Sequence, residues 1–173
     1  MKRIVLTGAE CTGKSTLAHA LSKHYGEPST DEFVREYVDQ LDRELKPEDL
    51  EPIFRGQLAI EEEGLQKADQ LIFHDTNLLS SIIYAEHYFG ASYEWVNETL
   101  LERDYTLYLL CTAQGIDWQE DLGQRDSPRA RTELQTKFQE RLLALKLPYV
   151  ELSGGASDRL KQAIKLIDET LKA

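Results

Sequence analysis

Gly8, Gly13, Lys14 and Ser15 stand at the spacing G-x-x-x-x-G-K-S within Gly8-Ala9-Glu10-Cys11-Thr12-Gly13-Lys14-Ser15-Thr16. These residue types at this spacing suit the binding of a polyphosphate. Glycines let a backbone turn tightly enough for successive N–H groups to point at phosphate oxygens. A lysine at the Lys14 position reaches the β- and γ-phosphates, and a hydroxyl at the Ser15 position ligates Mg²⁺. A helix opening at Gly13-Lys14 adds the positive end of its dipole to the same anion site. A nucleoside triphosphate such as ATP would then be held by Gly8, Gly13, Lys14, Ser15 and Thr16.

Transfer of a phosphoryl group asks for positioning and charge stabilisation more than for covalent chemistry. It needs a second oxygen ligand for the metal and a carboxylate for the attacking hydroxyl. Leu71-Ile72-Phe73-His74 is a short apolar run ending at Asp75, which suits Asp75 as the partner of Ser15 on Mg²⁺. Asp31 and Glu32 follow Ser29-Thr30 and precede Arg35. Ligands in an open α/β sheet lie beyond the carboxyl ends of the strands. Asp31, Glu32 and Asp75 are therefore expected to converge near the loop, and any of the three can take the proton. The plainer alternatives are a helix N-cap for Asp31 and a first-turn helix carboxylate for Glu32.

The polar, charged stretch from Ala113 to Arg131 carries Arg125, Arg129 and Arg131. A guanidinium fork matches phosphate oxygens, and a mobile lid would exclude water. The catalytic candidates are thus Lys14, the carboxylates Asp31, Glu32 and Asp75, and the arginines Arg125, Arg129 and Arg131, with the arginine that meets the nucleotide's phosphates left open. A solvated loop with surface arginines is the alternative. Trp118 in that stretch either stacks on a flat ring or packs. Gly154-Gly155-Ala156 reads equally as a turn against adenine or as a plain turn. Tyr84, Tyr88 and Phe89 read as core, Cys11 as a small filler, and His19, His24, His74 and His87 have no metal-ligand spacing.

The elements that must position these groups alternate strand and helix, which predicts an α/β protein with a parallel sheet covered on both faces. Strands are expected at Arg3–Thr7, near Ser29–Asp31, at Leu71–Asp75, at Thr106–Cys111 and at Tyr149–Leu152. Leu17, Leu21 and Tyr25 stripe a helix from Lys14, and Phe33, Tyr37 and Leu41 stripe a second. Pro47 suits the first turn of a long third helix reaching Ala68, with Leu50, Ile53, Phe54, Leu58 and Leu65 buried. Helical spacing recurs over Leu78–Phe89, Tyr93–Arg103, Leu134–Leu145 and Leu160–Leu171.

Composition narrows the partners. The chain has 173 residues, 41% hydrophobic and 29% charged, enough for one domain with a sizeable core. Its formal net charge is -11, which makes nucleic acid a poor partner. The run Glu61-Glu62-Glu63 reads as solvated surface. No apolar run is long enough for a membrane span, and only Ile4-Val5-Leu6 follows Met1-Lys2-Arg3, so no signal peptide or membrane partner is expected. Two cysteines make no disulfide framework, and the expected compartment is the cytoplasm. Oligomeric state is not legible.

The loop followed by Glu32-Phe33-Val34-Arg35-Glu36-Tyr37, then Phe73-His74-Asp75-Thr76, Tyr88-Phe89-Gly90, Trp118 with Asp121 and Arg125, and Gly154 with Arg159, resembles the ribosylnicotinamide kinase domain of the NadR type. This family lies within the nucleoside-kinase-like P-loop proteins, and the resemblance runs over essentially the whole chain. It implies a three-layer P-loop NTPase fold of the nucleoside/nucleotide-kinase kind with a five-stranded parallel sheet. It implies ATP and Mg²⁺, and a small nucleoside acceptor phosphorylated on its 5′-hydroxyl, ribosylnicotinamide giving nicotinamide mononucleotide. It makes Lys14 and Ser15 phosphate and metal ligands, Glu32 or Asp75 the acidic catalytic residue, and Arg125 a lid arginine. Two departures stand out. Cys11 replaces a serine, and Gly115-Ile116-Asp117-Trp118 replaces D-x-P-W, a change that bears on the acceptor more than on ATP. The adenylyltransferase domain of many relatives has no counterpart in these residues. A kinase for another nucleoside and a nucleotide-dependent regulatory ATPase are the alternative functions.

Overall fold

The computed structural model describes residues 1–120 and 127–172. The strands are β1 (Lys2–Thr7), β2 (Ser29–Thr30), β3 (Leu71–Asp75), β4 (Leu107–Cys111) and β5 (Tyr149–Leu152). The helices are α1 (Lys14–Tyr25), α2 (Phe33–Asp39), α3 (Leu50–Lys67), α4 (Leu78–Phe89), α5 (Glu94–Glu102), α6 (Pro128–Ala144) and α7 (Ala156–Lys172). The strands form one sheet in the order β2-β3-β1-β4-β5, every pairing parallel.

Successive strand residues point to opposite faces, and both faces are covered, so the central strands are apolar throughout. Ile4 and Leu6 join Phe73 and Leu109 beneath Leu17 and Leu21 of α1 and Ile167 of α7. Val5, Tyr108 and Leu110 face the other way, beneath Phe54 of α3, Ile83 of α4, Leu100 of α5 and Phe138 of α6. Parallel pairing brings all five carboxyl ends to one edge. There the registers Leu6 with Asp75, Thr7 with Leu110, and Cys111 with Leu152 align the loops that follow β1, β3, β4 and β5.

Three expectations need correcting. Glu61 is fully buried rather than solvated. It lies one turn beyond Gln57 on the inward face of α3, where the Tyr105 hydroxyl donates to it at 2.7 Å and Arg103 pairs with it at 3.2 Å. Burial pushes its carboxyl upward against those partners. Leu58 and Leu65 are only half-buried, because polar Gln57 and Glu61 take the inner stripe. Tyr88 is exposed rather than core, lying stacked on Tyr84 along the outside of α4.

Pro47 opens a short 3-10 turn, Pro47–Asp49, and α3 proper begins at Leu50. Asp49 fixes this corner by accepting both Nη atoms of Arg43 at 2.8 and 2.9 Å and the Tyr37 hydroxyl at 3.0 Å. Among the described residues no helix is long and apolar enough to cross a membrane.

The Glu61 cluster yields a stability prediction. Arg103→Met strands a buried carboxylate and should lower the unfolding free energy by about 3 kcal/mol. Glu61→Gln combined with Arg103→Met should recover part of that loss in urea denaturation. A double variant no more stable than Arg103→Met alone would show that the two charges do not depend on each other.

Candidate functional site

The loop after β1 has its geometry written in its backbone. Gly8 adopts φ 127°, and a Cβ there would lie 2.5 Å from the Cys111 carbonyl oxygen, so the loop can pass β4 only with glycine. Cys11 and Gly13 are also left-handed, with φ 52° and 78°. The Thr12 hydroxyl donates to the Ala9 carbonyl at 2.8 Å, and Lys14 Nζ arches over the loop to the same oxygen at 2.7 Å. Leu17 N–H donates to Gly13 O at 3.1 Å, so the N–H groups ahead of it form the open end of α1. Ser15 and Thr16 are exposed there, facing any ligand.

The loop is tied down from behind. Arg159 is buried, and its guanidinium donates to Thr12 O at 2.8 Å, Gly154 O at 2.6 Å, Thr112 O at 2.7 Å and Gln114 O at 2.8 Å. One side chain thus joins the loops after β1, β4 and β5. Gln135 of α6 accepts from Ala9 N–H at 3.2 Å. Arg131 donates to Cys11 O at 3.2 Å and Ile116 O at 3.3 Å, with Trp118 under its guanidinium at 5.3 Å. The Cys11 thiol bridges to the same segment, donating to Asp117 O at 3.4 Å and accepting from Gln119 N–H at 3.3 Å.

On the other side stand the carboxylates. Asp75 is buried, and its Oδ1 has no hydrogen-bond partner among the described residues. Burial pushes its carboxyl up, while the Lys14 ammonium and the Ser15 hydroxyl pull it back. Glu32 is the N-cap residue of α2, yet its side chain makes no capping bond. It is only 22% exposed, with Arg35 at 4.0 Å. Its carboxyl is pushed up by burial and by Asp75 and Glu10, and held down by Lys14 and Arg35. Tyr84 belongs to the same group, its phenol raised by burial and by the charges of Glu32 and Glu10.

The residues expected from the sequence thus separate. Gly8, Gly13, Lys14, Ser15, Thr16, Glu32 and Asp75 come together. Asp31 is 83% exposed and paired with His19 at 3.2 Å, yet it stands near enough for its charge to help raise the Asp75 carboxyl. Arg129 and Arg131 stand on a helix rather than in a loop, since Ser127 accepts from Ala130 N–H at 3.1 Å and caps α6 with Pro128 following it. Arg129 is 89% exposed and pairs with Glu133, away from the loop. Arg125 lies outside the described residues.

Two residues with structural importance here were not assigned roles by pattern. Arg159 sits in the first turn of α7, where a cation opposes the helix dipole, and that mismatch is the signal that it must meet carbonyls. Gln57 lies on the apolar stripe of α3, seven residues after Leu50, where a polar side chain needs a partner.

The metal question rests on donor chemistry. A Ser hydroxyl beside a carboxylate with an unpartnered buried oxygen suits Mg²⁺, which prefers hard oxygen ligands and keeps few from protein. Among the described residues no group of three His, Cys, Asp or Glu could hold a metal by itself.

Comparison with known proteins agrees with this geometry. A model of the AAA domain matches residues 3–159. The chain belongs to that family. Among solved structures, the NadR protein in complex with NR superposes with a TM-score of 0.83 at 21% identity, over 99% of this chain and 50% of that one. The chain therefore spans about half the length of that protein. A thymidylate kinase from Ehrlichia chaffeensis gives 0.67 at 14% identity, over 96% and 98% of the two chains. Deoxyadenosine kinase from M. mycoides with bound dATP gives 0.62 at 18% identity, over the full length of both. The fold is the P-loop fold of nucleoside and nucleotide kinases, and the resemblance to the NadR type holds at the level of structure.

Arg159→Lys keeps the charge but loses the fork. It should cost about 2–3 kcal/mol in stability, and it should weaken ATP binding about tenfold as the Thr12 carbonyl is released. Calorimetric titration and thermal melts check this. Unchanged ATP affinity would mean that the loop holds its shape without the guanidinium.

Proposed function

We propose that the protein transfers the γ-phosphoryl group of ATP to the 5′-hydroxyl of a nucleoside, with ribosylnicotinamide as acceptor and nicotinamide mononucleotide as product. The observation that carries this reading is Glu32. Its carboxyl makes no capping bond, is sheltered from water, and stands within the influence of both Lys14 and Asp75. A carboxylate so placed is arranged to receive a proton at the phosphate end of the site.

The roles follow from chemistry. The N–H groups at the opening of α1 and the Lys14 ammonium would hold the β- and γ-phosphates. Ser15 and the unpartnered Asp75 Oδ1 would hold Mg²⁺, which supplies charge neutralisation when bound. The acceptor oxygen forms its bond to the γ-phosphorus as the bond to the ADP oxygen breaks, and the hydroxyl proton passes to Glu32. Burial makes Glu32 a stronger base than a solvated glutamate, and Lys14 opposes its neutralisation.

Support for this acceptor comes from two sides. NadR, the solved structure compared above, is described in complex with NR. The site is also acidic on its acceptor side, with Glu10 and Asp75 close enough to act on the charge of Glu32. Such a field favours an acceptor bearing a positive ring over a neutral one. The departures at Cys11 and at Gly115–Trp118 lie on the opposite flank, where Arg131 and Trp118 meet the loop.

The test is ATP consumption with Mg²⁺ across a nucleoside panel led by ribosylnicotinamide, with products identified by mass. Nicotinamide mononucleotide is the expected product. A different nucleotide would move the acceptor and keep the kinase. ATP turnover indifferent to every acceptor would overturn the kinase and favour a regulatory ATPase.

The raised Glu32 carboxyl also makes a prediction about stability. An unfolded glutamate ionises at lower pH than this one, so the native state loses stability as pH rises from the ordinary glutamate range through the folded value. Glu32→Gln should therefore melt higher than the wild type at neutral pH, by about 2–4 °C per kcal/mol relieved. The gain should vanish below the ordinary glutamate range while turnover is lost. A variant that melts lower at neutral pH would contradict the burial cost.

A further inference from the structure

The turn that carries Glu32 is gripped from one side by α3. A methyl at Gly56 would overlap the Phe33 ring, so the ring of the residue after Glu32 lies directly on the helix backbone. Gln57 Oε1 accepts from Phe33 N–H at 3.2 Å. About two turns further along, a Cβ at Gly64 would lie 2.5 Å from Thr30 Cγ2 and 2.8 Å from Ile72 Cδ1. Thr30 itself is tied to β3 through its hydroxyl and His74 Nδ1 at 2.9 Å. The residues on both sides of the Asp31-Glu32 pair are therefore seated on one helix face.

The Gln57 amide is held in one orientation. Its Nε2 faces Glu61 Oε1 at 3.5 Å, and an ionised carboxylate only accepts. With Nε2 committed to Glu61, Oε1 must face Phe33 N–H. Glu61 is in turn held by Tyr105 and Arg103, and Arg103 reaches Glu62 at 2.8 Å. A rigid polar chain thus runs from Arg103 through Glu61 and Gln57 to the first N–H of α2. It uses the buried groups of α3 that the phosphate-binding loop does not touch.

We propose that α3 is the positioning element for Glu32, with Gln57 as the residue that fixes the β2–α2 turn and Gly56 and Gly64 as the seats that bring it close. The inference rests on the reading of Glu32 as the proton acceptor. Gln57 touches no reacting atom and acts only through the backbone of Phe33. Small misplacements of a reacting group are expensive in rate, about tenfold to a hundredfold for an ångström.

Two variants test this, Gln57→Leu and Gly56→Ala. The first removes the amide and keeps bulk. The second pushes the Phe33 ring off the helix while raising the helix propensity of α3 itself, so it does not act by unravelling the helix. With the acceptor that the wild type phosphorylates, both should lower kcat about tenfold or more and leave the dissociation constant for ATP unchanged. A purely structural role would lower stability without separating the two constants. An independent readout is the titration of the Glu32 carboxyl by NMR, in a setting where Lys14, Asp75, Arg35, Glu10 and Tyr84 are the charged and titratable groups that act on it. Its midpoint should fall toward the ordinary glutamate value in both variants as water reaches a loosened turn. Unchanged kcat, or kcat and ATP affinity falling together, or an unmoved midpoint, would overturn the proposal. If no acceptor is turned over by the wild type, the functional reading fails, and the midpoint alone decides whether α3 sets the position of Glu32.

Discussion

A loop that binds phosphate with its N–H groups must turn its carbonyl groups the other way, and those carbonyls have to be satisfied. Here Lys14 and the Thr12 hydroxyl take the Ala9 carbonyl, Arg131 takes that of Cys11, and one buried guanidinium takes that of Thr12. Arg159 takes the Thr12 carbonyl together with those of Thr112, Gln114 and Gly154. Without it the loops after β1, β4 and β5 would each carry unpaired oxygens away from water, at roughly 1–3 kcal/mol apiece. Everything at the site follows from that anchor. Lys14 can arch over a loop whose floor is fixed, α1 can open toward the ligand, and Arg131 and Cys11 can fasten the segment 116–119 to the outside of the same turn.

The second organising feature is a concentration of buried carboxylates around one lysine. Glu10, Glu32 and Asp75 crowd together on the side of the loop away from Arg131. Burial and the charges of Asp75 and Glu10 oppose the ionisation of Glu32, burial and Asp31 oppose that of Asp75, and Lys14 opposes the neutralisation of both. The arrangement costs stability, and a structure that retains such a cost holds its charges where chemistry can use them. The sheet makes the crowding possible. In the order β2-β3-β1-β4-β5, β3 stands directly beside β1, and Leu6 is level with Asp75.

Much of this was readable in the chain. The spacing of Gly8, Gly13, Lys14 and Ser15 located the loop, and apolar runs ending at Thr7, Asp75 and Cys111 located three strands, because a strand buried on both faces is apolar at every position. What escaped reading has physical reasons. Glu61 opens a run of three glutamates whose other two members are exposed, and only its place on the α3 stripe marks it as buried. Asp31 and Glu32 are adjacent acids, and composition does not say which of two neighbours points inward. The Ser127-Pro128 start of α6 is a capping signal hidden inside a polar stretch, so arginines assigned to a loop turned out to stand on a helix. Gln57 announces itself only as a misfit, a polar group on an apolar stripe, and Arg159, one of the residues of the resemblance, shows its anchoring role only as a cation at a helix N-terminus.

The central claim is that Glu32 takes the proton of the attacking hydroxyl. The most direct measurement is the single-turnover rate of phosphoryl transfer as a function of pH, in the wild type and in Glu32→Gln. The account predicts a rate that climbs with pH through an elevated carboxyl ionisation in the wild type, and a slow rate without that limb in the variant. The same ascending limb in both proteins would contradict it and assign the proton to another group.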